Sequence, residues 1–286
     1  MGIVFGLLAA LGQALAFISI KRSYKELNPS IVFFFDACFG LLLWIPFALI
    51  VGVRFQDFSM VVGFALLSAL LSEAFVFYAL SKGHISISGT IFASYPVWTI
   101  ICSVLLNKEM LLPIHWFFIS ITIIGILIVS LPHKIHAKEL KERAHLLWPL
   151  AAAIAVGLSD TLSKGVIDKS SAETFLFALA FAQIPVAVGY LLVTREPLSQ
   201  FTRTIHEYSK YKFALLGSLL NIVAVLFLWL AFAHAYASIA SPLTAAYPAI
   251  IVVLAIFFLK ERPTKRELIG LLLTIVGVIG ISLFFT

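Results

Sequence analysis

The stretch SISGTIFASYPVWTIICSVLLNKE, Ser86 to Glu109, occurs a second time 152 residues later as SIASPLTAAYPAIIVVLAIFFLKE, Ser238 to Glu261. The two copies agree without a gap at seven of 24 positions, including a Tyr-Pro pair and a Lys-Glu pair. Unrelated apolar segments share Ile, Leu and Ala by chance, but they rarely align both pairs at one offset. The match indicates an internal duplication, and its register extends over residues 79–125 and 231–277.

The composition indicates a membrane protein. Hydrophobic residues make up 62% of the chain and charged residues only 12%, about half the charged share of a soluble domain. The chain contains ten apolar runs, each long enough to cross a hydrocarbon core of about 30 Å as a helix. None alternates apolar and polar residues as a β-barrel strand would. The sequence therefore predicts an all-α integral membrane protein with ten transmembrane helices.

The ten predicted spans form two groups of five. They cover residues 2–20, 30–52, 60–80, 86–109, 113–131, 147–167, 173–194, 213–233, 238–259 and 267–285. We expect a first five-helix repeat over residues 1–132, a polar cytoplasmic linker over 133–146 and a second repeat over 147–286. No basic region precedes the first span, so we expect a retained helix and not a signal peptide.

The basic residues predict the orientation of the spans. Sixteen of them lie on the side that follows spans 1, 3, 5, 7 and 9, and four lie on the other side. The positive-inside rule places the first side in the cytoplasm and both termini outside, in a prokaryotic inner membrane. Because each repeat has five spans, the two repeats cross in opposite directions. Such inverted repeats are typical of secondary transporters that alternate access to a midplane site.

These features together resemble a known family. Two halves of five spans, a helix that bears Tyr-Pro and ends in Lys-Glu, and a following helix with Gly125 or Gly277 are similar to the drug/metabolite transporter superfamily, EamA type. The resemblance covers nearly the whole chain and implies transport. It implies no particular substrate, because similar proteins export amino acids and drugs, import small amines or carry nucleotide sugars. It also implies that spans 1, 3, 4, 6, 8 and 9 line a central cavity.

Glu73 is the first candidate for chemistry in these spans. A carboxylate inside a span costs roughly 2.5 to 3.5 kcal/mol on insertion scales unless it faces a cavity or a partner. Its counterpart in the second repeat is Val225, so only the first half carries an acid at this position. We expect Glu73 to couple proton movement to substrate movement. The alternative is a protonated side chain that hydrogen-bonds between helices.

Three further charged residues lie inside the spans, away from their ends. Asp160 and Lys164 are four residues apart in span 6, so they share a helix face and can form an ion pair. That pair would either fix the helix or act as a gate or a site for a zwitterionic substrate. Asp36 lies in span 2, off the implied cavity, so we expect it in packing or at the membrane interface.

Polar and aromatic side chains complete the expected pathway. Hydrogen bonds to a ligand are expected from Gln13, Ser94, Asn221 and Thr244, although each could instead join two helices. An aromatic wall suited to amphipathic or cationic ligands is expected from Phe77, Tyr78, Trp98, Trp229 and Tyr236.

The Tyr-Pro pairs, Tyr95-Pro96 and Tyr247-Pro248, place a hydroxyl-bearing ring beside a residue that bends a helix. We interpret them as a pair of hinges around the site, or as a packing feature inherited by both repeats. Gly270, Thr274 and Gly277 in span 10 permit close packing, which we expect against span 5.

Several functions lack support in the sequence. HExxH, GxSxG and GxxxxGK[ST] are absent, so neither catalysis, ATP-driven pumping nor a cofactor is expected. His133 and His136 have no acidic or cysteine cluster beside them that would complete a metal site. The net charge of +6 is scattered over loops, so no nucleic-acid partner is expected.

The sequence thus predicts a monomeric secondary transporter that moves a small organic solute, such as an amino acid, an amine or a drug, by alternating access. We expect an exporter that also uses protons. Within the same fold the alternatives are a nutrient uptake carrier and a flippase for lipid-linked sugars. A membrane enzyme or receptor is a further alternative, but it lacks a catalytic cluster or a soluble domain.

Overall fold

The computed structural model describes residues 1–21, 27–81, 91–131, 143–259 and 263–284. Within these ranges the regular structure is entirely helical. The helices are α1 Gly2–Lys21, α2 Pro29–Val51, α3 Phe58–Ser68, a π-helical turn Ala69–Ala74, α4 Phe75–Ser81, α5 Tyr95–Leu106, α6 Pro113–Ser130, α7 Arg143–Ile167, α8 Ala172–Thr194, α9 Leu198–His206, α10 Tyr208–His234, α11 Ala237–Thr244, α12 Tyr247–Leu259 and α13 Lys265–Phe284.

Nine helical stretches in the described ranges are long and apolar enough to cross a membrane. They correspond to nine of the ten predicted spans, so the all-α, multi-span membrane fold is confirmed. The fourth predicted span is represented by the shorter apolar helix α5. Residues 86–90, where that span was expected to begin, lie outside the part of the chain that the structure describes, as do His133 and His136.

The sequence marks the beginnings of α2 and α8 clearly. Asn28 caps α2, because its side-chain oxygen accepts the backbone N–H of Ser30 at 3.1 Å. Ser171 caps α8 in the same way, by accepting the N–H of Thr174 at 3.1 Å. Side chains of these types satisfy amide groups that the first turn of a helix leaves without a partner.

The amphipathic helix α9 joins α8 to α10. Its Phe201 ring packs against Phe34 and Phe35 of α2, with ring centroids 4.9 and 4.5 Å apart. Arg203 donates a hydrogen bond of 2.8 Å to Glu207, and this bond lowers the pKa of the exposed Glu207 carboxyl. The Phe201 contacts attach the apolar face of α9 to the bundle.

The helix contacts interchange when the two halves are exchanged. Helix α10 of the second half packs on α1 of the first half. When the halves are exchanged, the corresponding contact is that of α7 in the second half with α3, the π turn and α4 in the first half. Likewise α5 packs on α7, and α11 and α12 pack on α1. The contacts of α3 with α8 and of α10 with α2 are exchanged in the same way, and two further large contacts join equivalent helices, namely α2 with α8 and α6 with α13. This pattern is the one that a two-fold relation between the halves produces.

The contact between α6 and α13 is reciprocal at single residues. A Cβ on Gly125 would lie 2.5 Å from Thr274 Oγ1, and a Cβ on Gly277 would lie 2.2 Å from Thr122 Oγ1. The two threonines are equivalent in the repeat, and so are the two glycines. Only a missing side chain lets the helices approach this closely. The predicted packing of span 10 against span 5 is confirmed.

The Tyr-Pro pairs stand at interruptions in two helices. The chain turns at residues 245–246 between α11 and α12, and at residues 93–94 before α5. Pro96 and Pro248 are the second residues of the new helices. A backbone N–H in the first turn has no hydrogen-bond partner within the helix, so proline, which lacks this group, is tolerated there. The helix irregularity expected at the Tyr-Pro pairs is present as a stop and a new beginning of the helix, and the hinge role stays a prediction.

Candidate functional site

Glu73 lies in the π-helical turn between α3 and α4. Such turns are rare and occur frequently at functional sites. The Glu73 carboxylate accepts a hydrogen bond from the side-chain amide of Gln183 in α8. The equivalent position, Val225, lies in the uninterrupted helix α10. The carboxylate and the irregular turn thus occur together in the first half.

Asp36 is connected to the same region. Asn221 Nδ2 donates to Asp36 Oδ2 at 2.9 Å, and Gln13 Nε2 donates to Asn221 Oδ1 at 3.2 Å. The Asp36 carboxyl also interacts electrostatically with Glu73. Asp36 is only 1% exposed, so of the two expected placements, in packing or at the membrane interface, the structure supports packing. The reason is that its helix face packs against α10 and not against lipid.

We call these five residues the acid–amide cluster: Gln13, Asp36, Glu73, Gln183 and Asn221. Gln13, Glu73 and Asn221 are partly exposed, whereas Asp36 and Gln183 are buried behind them. Two buried oxygen atoms of the cluster, Asp36 Oδ1 and Gln183 Oε1, have no hydrogen-bond partner. Buried acceptors of this kind are uncommon and call for a physical explanation.

A second polar cluster lies where α5, α7 and α11 meet. Thr99 Oγ1 donates to Asp160 Oδ2 at 3.3 Å, and Ser241 Oγ donates to Thr99 Oγ1 at 3.2 Å. Close by, the Tyr95 hydroxyl and Thr244 Oγ1 form a hydrogen bond of 3.3 Å. We call these five residues the hydroxyl cluster. It brings both halves of the chain together beside the two helix interruptions.

Lys164 does not pair with Asp160. Its ammonium group forms an ion pair with Asp168, one turn further along. The Asp168 side chain is 51% exposed at the end of α7, where a long lysine chain can keep its charge in a polar environment. The predicted Asp160–Lys164 ion pair is therefore wrong. Among the residues that the structure describes, Asp160 forms no ion pair.

The predicted aromatic residues occupy different environments. Phe77 packs on Phe33, and Tyr78 on Trp148, with centroids 5.6 and 5.4 Å apart. Tyr247 stacks on Phe17 of α1 at 5.0 Å. All three predicted residues are partly exposed, as is Trp98, so each can border a pathway.

Three other predicted residues are placed less favourably for contact with a ligand. Trp229 is 2% exposed and packs edge-on against Phe175, which places it in the core. Tyr236 is 42% exposed, directly before α11. The Ser94 hydroxyl donates to the backbone oxygen of Ile91 at 2.6 Å, so its hydrogen is already used.

Sequence reasoning missed Gln183, Thr99, Ser241 and Glu109. Glu109 is 7% exposed, and its carboxylate accepts the backbone N–H groups of Ala237 and Ser238 at 2.9 and 3.0 Å, together with the Ser238 hydroxyl. It therefore caps α11 from the other half. The repeated Lys-Glu pair was the available signal for Glu109. A lone amide in the middle of an apolar span was the signal for Gln183.

Two apolar surface grooves contain no residue of either cluster. Grooves of about 370 and 300 Å³ follow the sides of α5 and α6 and are lined almost wholly by apolar side chains, such as Leu127 and Ile123. Neither groove includes a carboxylate. No group of three metal-ligating side chains occurs in the described ranges.

Interrupted membrane helices that bring polar groups together between two related halves define a polytopic membrane carrier. The chain belongs to the EamA-like transporter family, whose pattern matches residues 1–131 and 143–283. It is therefore a membrane transporter of that family, as the resemblance implied.

Individual proteins are also similar to this chain. An S-adenosylmethionine uptake transporter of Rickettsia bellii is 25% identical over 96% of this chain and 91% of its own. The protein of the same name from Rickettsia conorii is 25% identical over 69% of this chain and 63% of its own. An uncharacterized protein of Methanocaldococcus jannaschii is 31% identical over 138 residues, which are 48% of this chain and 96% of its own.

One solved crystal structure shares the fold over nearly the full length. It superposes with a TM-score of 0.75 and covers 99% of this chain and 97% of its own, at 16% identity. This likeness concerns the fold alone.

Proposed function

We propose that this protein is a secondary transporter that exports a small organic solute by alternating access and uses Glu73 to couple export to protons. The observation that carries the proposal is a partly exposed carboxyl group inside a membrane span, in a π-helical turn, with an amide as its hydrogen-bond partner. Ionisable groups inside membrane spans commonly mark ion and proton pathways.

Alternating access requires two related halves that exchange roles. The reciprocal contacts of α6 with α13 and the interchange of the other helix pairs support two repeats, over residues 1–132 and 147–286, with a linker between them. The Methanocaldococcus relative supports this division, because it is about as long as one half of this chain. We infer that the halves are inverted in the membrane and that one chain forms the complete carrier.

The substrate that fits the hydroxyl cluster is a small solute with an amino or other cationic group. Asp160 supplies a buried carboxyl group, which a bound cation would hold in its charged form, while Tyr95 and Thr244 supply hydroxyl groups. Nearby, the partly exposed ring of Tyr247 can face a cation. An ammonium group would complete the Asp160 site, which has no ion pair within the described residues.

Uptake is the second candidate direction. It is favoured by two relatives that are named S-adenosylmethionine uptake transporters. S-adenosylmethionine carries a sulfonium cation and an amino-acid group, and both suit the same site. The sequence bias of basic residues supports an inner-membrane location, with the termini outside and the basic loops in the cytoplasm.

The experiment begins with a thermal-shift screen of the purified protein against amino acids, amines, nucleosides, sugar nucleotides and S-adenosylmethionine at two pH values. Binding stabilises the folded state by about 2.7 kcal/mol at one hundred times the dissociation constant. The hit is then loaded into liposomes that contain the protein in one orientation, and flux is measured under pH gradients of either sign. Export predicts faster flux from the cytoplasmic face, and uptake predicts the reverse. Flux that ignores both gradients would contradict proton coupling.

A further inference from the structure

The two buried oxygens without partners both belong to the acid–amide cluster. Asp36 Oδ1 and Gln183 Oε1 have no hydrogen-bond partner within the part of the chain that the structure describes. Leaving a buried acceptor without a partner costs about 1 to 3 kcal/mol, and more for a charged group. A hydrogen on the Asp36 carboxyl would remove the charge and turn one unpaired acceptor into a donor.

Gln183 relates the two carboxyl groups to each other. Its amide nitrogen donates to Glu73. Its amide oxygen lies against Gly40, where a Cβ would be 2.7 Å away. Gly40 lies one helical turn from Asp36, so both are on the face of α2 that meets α8. The Gln183 side chain therefore contacts Glu73 and also lies beside the face of α2 that carries Asp36.

Titratable groups lie on several of the helices that surround the pair. Asp36 is the charged group that acts on Glu73, and hydrogen bonds from neutral side chains act on Asp36. The other titratable groups on the helices packed around them are Cys38 on α2, Tyr78 on α4, Arg143, His145, Asp160 and Lys164 on α7, Glu173 and Tyr190 on α8, and Tyr208, Lys210, Tyr211, Lys212 and His234 on α10. Among the causes that act on the Glu73 carboxyl, Asp36 is the charged one. The charge of Glu73 therefore depends on whether Asp36 carries a charge.

We propose that Asp36 is a second proton-carrying group that forms a coupled pair with Glu73, with Gln183 as the positioning residue between them. Two neighbouring carboxyl groups that cannot both be charged share one proton. When Glu73 loses its proton, the proton is gained by Asp36 Oδ1, and the net charge of the pair stays at −1. Glu73 is partly exposed and exchanges protons with the pathway, whereas the buried Asp36 holds the proton.

This inference rests on the proposed role of Glu73, but its test needs no substrate. The full-length protein is reconstituted in liposomes, and the carbonyl stretching bands of protonated carboxylic acids are followed by infrared spectroscopy during a pH titration. The variants are Asp36→Asn, Glu73→Gln and the double variant, with Asp160→Asn as the control. Thermal unfolding of each variant confirms that it is folded.

Interacting sites titrate together, so each single variant should remove one band and move the midpoint of the other by about one pH unit or more. The double variant should remove both bands, and Asp160→Asn should leave both midpoints in place. A midpoint for Asp36 that does not move in Glu73→Gln would overturn the coupling. A titration that changes when Na⁺ is replaced by choline would also overturn it, because the pair would then bind a metal cation.

The outcome for the pair can be separated from the outcome for transport. Coupled midpoints with a flux that ignores pH would contradict proton-coupled transport and leave the pair intact. Independent midpoints with a pH-dependent flux would contradict the pair and leave Glu73 as a lone proton carrier.

Discussion

Gln183 of the second half donates its side-chain amide to Glu73 of the first half, so a single hydrogen bond joins the two repeats at the irregular turn of α3 and α4. Neither residue has a polar counterpart in the other half: Val225 stands in the place of Glu73 at the repeat offset of 152 residues, and Gly40 holds the position in α2 that Gln183 holds in α8, counted from the first residue of each helix. The helix contacts between the two halves are thus reciprocal, whereas this polar contact is not.

Glu73→Gln should abolish the pH dependence of transport. The amide has nearly the same shape as the carboxyl group but cannot carry a proton or a charge, so substrate binding is retained while coupling is lost. The measurement is liposome flux of the hit compound as a function of pH, with Glu207→Gln as an exposed control. A Glu73→Gln variant with the wild-type pH profile of flux would contradict the role of Glu73 in proton coupling.

Gly40→Ala should disrupt the position of Gln183. The new Cβ would lie 2.7 Å from Gln183 Oε1 and 3.3 Å from the Trp44 ring, so the amide must move away. Overpacking of this kind costs about 1 to 3 kcal/mol. The check is thermal unfolding combined with the pH profile of flux.

Gly189→Ala is the matched control for Gly40→Ala. It lies on α8, and nothing is within 4 Å of the new Cβ. Alanine there should stabilise the helix by roughly 0.5 to 1 kcal/mol, because it restricts the unfolded chain and favours helix. Equal behaviour of the two variants would show that the close approach of Gly40 to Gln183 has no energetic effect.

The sequence predicted the architecture better than it predicted the contacts. Span length, charge bias and the repeated Tyr-Pro stretch were sufficient for an all-α membrane transporter, because hydrophobic length is a local property. The Asp160–Lys164 pair failed because helical spacing offers Lys164 two aspartates, one turn to either side. Which one it meets depends on where α7 ends, and spacing alone does not determine this.

Two further residues show the same limit. Asp36 was assigned away from the cavity by span number, yet Asn221 reaches it from α10. Helix numbering predicts neighbours on average and does not predict which side chain crosses an interface. Glu109 was visible as part of a repeat, but its partners at the start of α11 lie 128 and 129 residues further along the chain.

Asp160→Asn should weaken binding of a cationic solute, and Asp168→Asn should not. Asp160 is a buried acid without an ion pair in the described residues, whereas the half-exposed Asp168 neutralises Lys164 at the end of α7. Loss of the buried charge should weaken binding at least about tenfold, or 1.4 kcal/mol. The test is the concentration dependence of the thermal shift. A similar loss in both variants would argue against Asp160 as the cation site.

Gly125→Ala and Gly277→Ala should destabilise the fold to a similar extent. In each case the new Cβ would meet a threonine hydroxyl of the opposite helix, at 2.5 and 2.2 Å. A two-fold relation makes the two sites equivalent, so we expect a loss of about 1 to 3 kcal/mol for each. Thermal unfolding of both variants beside Gly63→Ala, which meets nothing within 4 Å, measures this. A large loss of stability at only one of the two glycines would show that the two contacts, although alike in geometry, do not contribute equally to the free energy of unfolding.

Glu109→Ala should loosen the start of α11. The carboxylate accepts two backbone N–H groups and the Ser238 hydroxyl in a buried place, and an alanine leaves these donors without a partner. Unsatisfied buried donors cost about 1 to 3 kcal/mol each. Glu109→Gln keeps one acceptor oxygen and should lose less stability than Glu109→Ala. Because α11 leads into the interruption before Tyr247 and carries Ser241 and Thr244 of the hydroxyl cluster, solute binding should weaken in the same order. Thermal unfolding with and without the solute measures both quantities. If Glu109→Ala lost stability but bound the solute as the wild type does, the cap would serve the fold alone.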